Sequence, residues 1–204
     1  INFSDKLFFE KSNFFQLSCD DSKVPIDISN TIFKAYQILN HKFKFKNHYR
    51  IHLNKNIPIG AGLGGGSSNA ACTLLALTNL LNLDISSESL YKIALDIGSD
   101  VPFFLNGGVK LVQGRGDIIN SFENSDQFQN IYILLACPEF SISTKWAYKN
   151  LKLKKALKSD NKLHKFPTLD KKVNWKLFEN DFEVVVKVAY PEIMDIKQAM
   201  YNNG

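Results

Sequence analysis

Residues Asn56–Leu81 read NIPIGAGLGGGSSNAACTLLALTNLL. Five of the chain's eleven glycines fall between Gly60 and Gly66, and Ser67 and Ser68 follow at once. An apolar run then carries Ala70, Ala71, Leu74, Leu75, Leu77, Leu80 and Leu81, which predicts a buried helix. Glycines reach φ > 0 and present bare amides, so a loop of them can wrap closely round an anion. The helix behind it aims its unsatisfied N–H groups and the positive end of its dipole into the same loop. The two serines add hydroxyls able to cap the helix or to reach a cation carried by a phosphate. The stretch reads as a cradle for a polyphosphate. A flexible glycine linker would not run straight into an apolar helix.

Three kinds of phosphate loop compete for this stretch. A Walker A loop needs Gly-Lys-Ser/Thr at the helix start, and no lysine follows Gly66. Gly60, Gly62 and Gly65 match the dinucleotide pattern GxGxxG, but that loop should follow a continuously apolar strand. Here the preceding segment, His48–Asn54 (HYRIHLN), alternates polar and apolar as in a half-exposed antiparallel sheet, and Pro58 interrupts the approach. Pro58, Gly62, Leu63, Gly64, Ser67, Ser68, Ala70 and Ala71 fit a third pattern, Pro-x-x-x-Gly-Leu-Gly/Ser-Ser-Ser-x-Ala-Ala. In this the chain resembles the galactokinase, homoserine kinase, mevalonate kinase and phosphomevalonate kinase (GHMP) superfamily.

The chain has 204 residues, is 45% hydrophobic and carries a formal net charge of +5, enough for one large or two small domains. No apolar run reaches the ~20 residues of a membrane span, and INFSDKLFFEKSNF at the start lacks a signal-peptide pattern. Cys19, Cys72 and Cys137 are odd in number and far apart, which predicts reduced thiols in a cytoplasmic protein. His41, His48, His52 and His164 have no metal-ligand spacing; His48 and His52 share a strand face at ~13 Å.

Along the chain, Lys6–Phe9 and Asn13–Ser18 read as strands joined by a charged turn at Glu10–Ser12. Residues 27–39 read as a helix capped by Asp27 or Ser29, with Ile32, Phe33, Tyr36 and Leu39 on one face. A further helix, Glu88–Ile97, is capped by Ser86 or Ser87 and closed by Gly98 in the left-handed conformation. In GSDVPFFLNGG (Gly98–Gly108), Ser99 or Asp100 can cap a short turn that buries Val101, Phe103 and Phe104. Capping is the commonest use of such an aspartate. The functional alternative is a carboxylate, held by the plug Pro102–Phe104 beside the cradle, that serves as base for a substrate hydroxyl. Strands at Val109–Val112 and beyond a Gly114–Gly116 turn follow, and the polar residues 119–130 form the expected domain boundary. Ile131–Ala136 reads as a strand, Pro138–Tyr148 as a loop entering a helix, and Asn174–Lys187 and Tyr190–Tyr201 as helices. Between Lys145 and Lys176 lie eleven lysines against Asp160 and Asp170, without arginines to read base edges, so a solvated insertion is favoured over a nucleic-acid patch.

Within the superfamily, IPIGAGLGGGSSNAA together with GSDVPFF closely resembles the 4-diphosphocytidyl-2-C-methyl-D-erythritol kinase family, whose second signature is Gly-Ala-Asp-Val-Pro-Phe-Phe. Ser99 stands where that signature has alanine. SNTIFKAYQIL, Pro138–Tyr148 and NDFEVVV…YPEI are weaker echoes, so the resemblance extends over nearly the whole chain. It implies transfer of the ATP γ-phosphoryl group to the 2-hydroxyl of 4-diphosphocytidyl-2-C-methyl-D-erythritol in non-mevalonate isoprenoid synthesis. On that reading Pro58, Ile59, Gly60, Ala61, Gly62, Leu63, Gly64, Gly65, Gly66, Ser67 and Ser68 cradle ATP, with Ser67 or Ser68 near Mg2+. Asp100 accepts the hydroxyl proton, Tyr148 stacks on the cytosine and Thr144 lies on the same substrate turn. The expected partner is a small cytidine diphosphate substrate, not nucleic acid or a membrane.

The implied fold is α+β in the two-domain GHMP arrangement. A nucleotide-binding domain spans residues 1–125, with a mixed sheet and helices on one face, and a sheet-and-helix domain spans 126–204. The family's opening Pro-Ala-Lys-x-Asn-Leu strand, its Tyr-His pair and its final Gly-Ser-Gly loop are not in this sequence, so both domains are expected to be incomplete. Rival readings are another GHMP small-alcohol kinase of homoserine or mevalonate type, a nucleotide-binding remnant without turnover, and a basic RNA-binding module. The GLGGGSSNAA–DVPFF pair argues against the first.

Overall fold

The structure is a computed structural model that describes residues 3–114, 116, 118–121, 132–138, 140–151 and 180–203. The chain falls into two compact units, Ile1–Glu123 and Asn124–Gly204. In the first, β1 (Lys6–Ser12), β2 (Gln16–Cys19) and β3 (His48–Asn54) form a mixed sheet of order β1-β3-β2. β3 is the central strand, antiparallel to β1 and parallel to β2. Its alternation sends Tyr49, Ile51 and Leu53 to one buried face. The register sets Leu7 opposite Leu53 and both Phe9 and Leu17 opposite Ile51.

That face shares one core with α1 (Thr31–Phe43), α2 (Gly65–Leu80) and α3 (Ser87–Ile97). They contribute Ile32, Ala35 and Leu39, then Ala70, Ala71, Leu74 and Leu77, then Ile93, Ala94 and Ile97. Each fully buried leucine or isoleucine contributes roughly 1.5–3 kcal/mol. The short helix α4 (Val101–Asn106) closes one end of the core with Val101 and Pro102, and β4 (Lys110–Gln113) pairs with β5 (Ile118–Ser121) as a hairpin. The α+β architecture is the expected one.

Several local expectations give way. Glu10–Ser12 is not a turn but the end of β1, because the charges lie on the solvent side, where Glu10 pairs with Arg50 at 3.7 Å across the ladder. α1 is capped by Asn30, whose side chain accepts from the Ile32 N–H at 2.8 Å and donates to Pro25 O at 2.6 Å. Asp27 instead builds the preceding turn, accepting from the Ser29 N–H and hydroxyl. Gly98 has φ 176°, so α3 ends in extended backbone and not in a left-handed cap. Leu75, Leu80 and Cys72 lie on the exposed side of α2, since only one face of that helix meets the core.

In the second unit, α5 (Thr144–Asn150), α6 (Glu183–Ala189) and α7 (Glu192–Asn202) are the described elements. Tyr190 stacks on Phe140 at 5.3 Å and meets Trp146 edge-on at 5.5 Å. Lys197 joins α7 to Glu183 of α6 at 2.6 Å. The strand predicted at Ile131–Ala136 is absent over residues 132–136, where Tyr132, Ile133 and Leu134 are exposed. A strand persists only where a neighbour takes up its N–H and C=O groups, and among the described residues of this unit none does. The lysine-rich stretch from 152, the first residues of the helix predicted at Asn174–Lys187, and most of the polar boundary at 119–130 lie outside the described residues.

Candidate active site

Lys55–Gly64 leaves the end of β3 and turns back into α2 through glycines in the left-handed region: Gly60 at φ 71°, Gly62 at 72° and Gly64 at 70°. Gly64 is the N-cap of α2 and offers no side chain to its first turn. The helix's first internal bond runs from the Ser68 N–H to Gly64 O at 2.9 Å. The N–H groups of Gly65, Gly66 and Ser67 therefore have no acceptor within the helix and mark its positive end. The Ser68 hydroxyl is turned onto Gly65 O at 2.9 Å, whereas the Ser67 hydroxyl makes no hydrogen bond among the described residues. Thr31, the first residue of α1, donates its hydroxyl to Gly66 O at 2.7 Å and ties the two helix starts together.

The DVPFF segment abuts this loop. A Cβ added to Gly64 would lie 2.7 Å from Phe104 Cζ, so α4 presses its aromatic ring directly on the loop backbone. Phe104 also meets Phe103 edge-on at 4.9 Å. A shallow groove of about 400 Å³ runs beside this contact, lined by Ser68, Cys72, Leu75, Ala76, Asn79 and Phe104. A larger open groove between α1 and α3, lined by His41, Lys92 and Asp96 among others, has none of the loop residues in its wall.

Asp100 occupies the N-cap position of α4 with φ −88° and ψ −12°, but its carboxylate caps nothing. Among the described residues its one side-chain hydrogen bond comes from the Ser99 hydroxyl at 3.3 Å, and it is exposed. The capping hydrogen bond expected of such an aspartate is not made. The turn between β4 and β5 closes on the same corner, since a Cβ on Gly116 would sit 3.0 Å from Ser99 O. The loop residues and the helix that follows Asp100 are brought together within the first unit.

Thr144 and Tyr148 come together in the second unit. Thr144 opens α5 behind the Ser143 cap, and Tyr148 follows one turn later on the same face. Tyr148 is 63% exposed and rests edge-on against Phe182 at 4.9 Å, leaving much of its ring uncovered. Among the described residues no three His, Cys, Asp or Glu side chains cluster as metal ligands.

One cluster was not singled out from sequence. The side chain of Asp5 is 1% exposed and ion-paired with Lys55 at 3.0 Å. Its Oδ1 accepts the N–H groups of Asn56 and Ile57 at 2.8 Å each, and its Oδ2 accepts Asn69 Nδ2 at 2.8 Å. Lys55 Nζ also donates to Ile57 O. Burial alone would raise the Asp5 pKa, but the hydrogen bonds from Ile57, Asn69, Lys55 and Asn56 outweigh it and hold the carboxyl below its ordinary value. Asn69 sits inside the motif and could have been questioned. Asp5 is 52 residues from Ile57 and 64 from Asn69 along the chain and carries no local signal.

Comparison with known proteins adds three findings. Residues 30–108 match the family model of the GHMP kinases N terminal domain. The 4-diphosphocytidyl-2-C-methyl-D-erythritol kinase of Thermodesulfovibrio yellowstonii is 35% identical over 217 residues, covering 100% of this chain and 72% of the relative. That of Chloroherpeton thalassium is 36% identical over 212 residues, with the same coverage of 100% and 72%. Among solved structures, a 4-(cytidine 5'-diphospho)-2C-methyl-D-erythritol kinase superposes with a TM-score of 0.70 at 24% identity, over 97% of this chain and 69% of its own. A homoserine kinase from Cytophaga hutchinsonii gives 0.57 at 21%, over 75% and 53%. At these identities the two structures speak for the fold.

Proposed function

The chain belongs to the 4-diphosphocytidyl-2-C-methyl-D-erythritol kinase family, and we propose that it transfers the ATP γ-phosphoryl group to the 2-hydroxyl of that cytidine diphosphate alcohol, in non-mevalonate isoprenoid precursor synthesis. The observation that carries the reading is the left-handed glycine loop capping α2 with the helix of Asp100 pressed against it. The first unit serves as the nucleotide-binding half, residues 1–125 in the expected division, and the second contributes substrate contacts.

Phosphoryl transfer runs through a loose transition state with charge spread over the phosphoryl oxygens, so catalysis is mostly positioning and charge neutralisation. The N–H groups of Gly65, Gly66 and Ser67, with the loop amides from Ile59 onward, receive the polyphosphate. The substrate hydroxyl oxygen attacks the γ-phosphorus, the bond to the β-phosphate oxygen breaks, and ADP leaves. Asp100, its carboxylate uncommitted to capping, orients that hydroxyl and takes its proton. Mg2+ keeps most of its ligands from phosphate and water, so one free protein hydroxyl suits it, and Ser67 fits better than Ser68. When bound it would neutralise phosphate charge. Tyr148 offers an open ring face for the cytosine, and Thr144 a hydroxyl one turn away.

A cytoplasmic setting is supported by Cys19, Cys72 and Cys137, all of which are free thiols. No helix among the described residues is long and apolar enough to cross a membrane. The test is a comparison of ADP release with the cytidine alcohol, homoserine and mevalonate as acceptors. Stimulation by the cytidine alcohol alone is expected, and stimulation by either of the others in its place would overturn the assignment.

A further inference from the structure

Asp5 lies outside the cradle yet touches both of its ends. Asn56 and Ile57 are the last residues before Pro58, where the loop begins, and Asn69 stands one turn inside α2, just after the loop has become helix. One carboxylate takes two backbone N–H groups from the entry and a side-chain amide from the exit, all at 2.8 Å. Lys55 occupies the remaining acceptor directions at 3.0 and 3.1 Å and supplies the countercharge. With the Asp5 side chain 1% exposed and Lys55 at 9%, the clasp is shielded from water.

The glycines between those ends are the residue type with the freest backbone, and a loop free to sample many shapes binds only through the fraction already in the right one. A clasp at the neck removes the widest of those motions without putting a side chain in the cradle. We propose that Asp5 is a positioning residue whose carboxylate clasps both ends of the glycine loop and holds the phosphate cradle in its binding shape before nucleotide arrives. The inference rests on the reading of Gly60–Ser68 as the cradle. Asp5 acts through Asn56, Ile57 and Asn69 and does not touch the phosphates.

The test is made on ATP affinity by calorimetry, with amide hydrogen exchange over residues 59–66. Asp5→Asn leaves Lys55 buried without its countercharge and is prone to misfold, so Asn69→Ala, which cuts only the exit side, is the primary variant. Leu39→Ala, in the core of α1, serves as a control that loses melting temperature without touching the loop. Gly62→Val, whose Cβ meets nothing within 4 Å, tests the cradle itself. If the clasp keeps the loop competent, Asn69→Ala weakens ATP about ten-fold and speeds exchange across 59–66, as a ten-fold fall in the competent fraction requires. Leu39→Ala then changes neither. Full ATP affinity in Asn69→Ala while Gly62→Val binds poorly would overturn the clasp and leave the cradle standing. Equal weakening by Leu39→Ala at a matched melting loss would also overturn it. Full affinity in Gly62→Val would overturn the cradle, and the clasp with it.

Discussion

Alanine at Gly64 and at Gly62 should cost different amounts, although the two backbones have nearly the same shape. Gly64 has φ 70° and Gly62 φ 72°, so either substitution forces an L residue into the left-handed region at roughly 1–2 kcal/mol. At Gly62 nothing lies within 4 Å of the new Cβ, and that is the whole penalty. At Gly64 the Cβ meets Phe104 Cζ at 2.7 Å and Cε2 at 3.0 Å, so the ring must swing away and give up its edge-on contact with Phe103. Overpacking of this kind adds about 1–3 kcal/mol, so Gly64→Ala should cost roughly 2–5 kcal/mol in all. Urea unfolding of the two variants measures the difference directly. A double-mutant cycle with Phe104→Leu attributes it, because a smaller side chain at 104 should return at least ~0.5 kcal/mol of the Gly64→Ala penalty. Equal costs for the two alanines, or a cycle that adds without coupling, would mean that α4 does not buttress the loop.

Removing the Asp5 charge should matter most at neutral pH. Its depressed carboxyl pKa stabilises the fold above the unfolded-state value and loses that effect as pH falls through the folded one, so the Asp5→Asn deficit, about 3–5 kcal/mol at pH 7 for a broken buried pair, should shrink below the ordinary carboxylate range. Urea unfolding at neutral and acid pH reads this, and a deficit independent of pH would contradict it. Tyr148→Ala should raise KM for the cytidine substrate about 5- to 100-fold while Tyr148→Phe leaves it unchanged, as a stacking energy of ~1–3 kcal/mol requires. A loss in melting temperature with both substrates weakened alike would make Tyr148 a packing partner of Phe182.

Features written locally are legible in the sequence. β3 runs from His48 to Asn54, bounds that its alternation and the following Pro58 mark locally. The glycine loop and the helix behind it are likewise contained in one run. Features that depend on distant partners were not legible. The charged end of β1 looks like a turn until Arg50 is set across from Glu10. The apolar run at Ile131–Ala136 looks like a strand whether or not a neighbouring strand pairs with it. Asp27 and Asn30 are both good caps, and the choice falls on Asn30 because its amide can also reach Pro25 O. At the site, the sequence leaves Asp100 as cap or base, and whether its carboxylate bonds the first turn of α4 is visible only in three dimensions, where that bond is not made. The Asp5 clasp spans 64 residues of chain, beyond any local pattern.

On the proposed function, Asp100 takes the proton of a hydroxyl phosphorylated by ATP held in the glycine loop. Phosphorus NMR of the protein with ATP, Mg2+ and 4-diphosphocytidyl-2-C-methyl-D-erythritol follows ADP and the new phosphomonoester together. The unaltered protein should form both at one rate, and Asp100→Asn should slow that rate by about 10²–10⁴-fold with its ATP affinity unchanged. Phosphomonoester appearing at the same rate in Asp100→Asn would exclude Asp100 as the base.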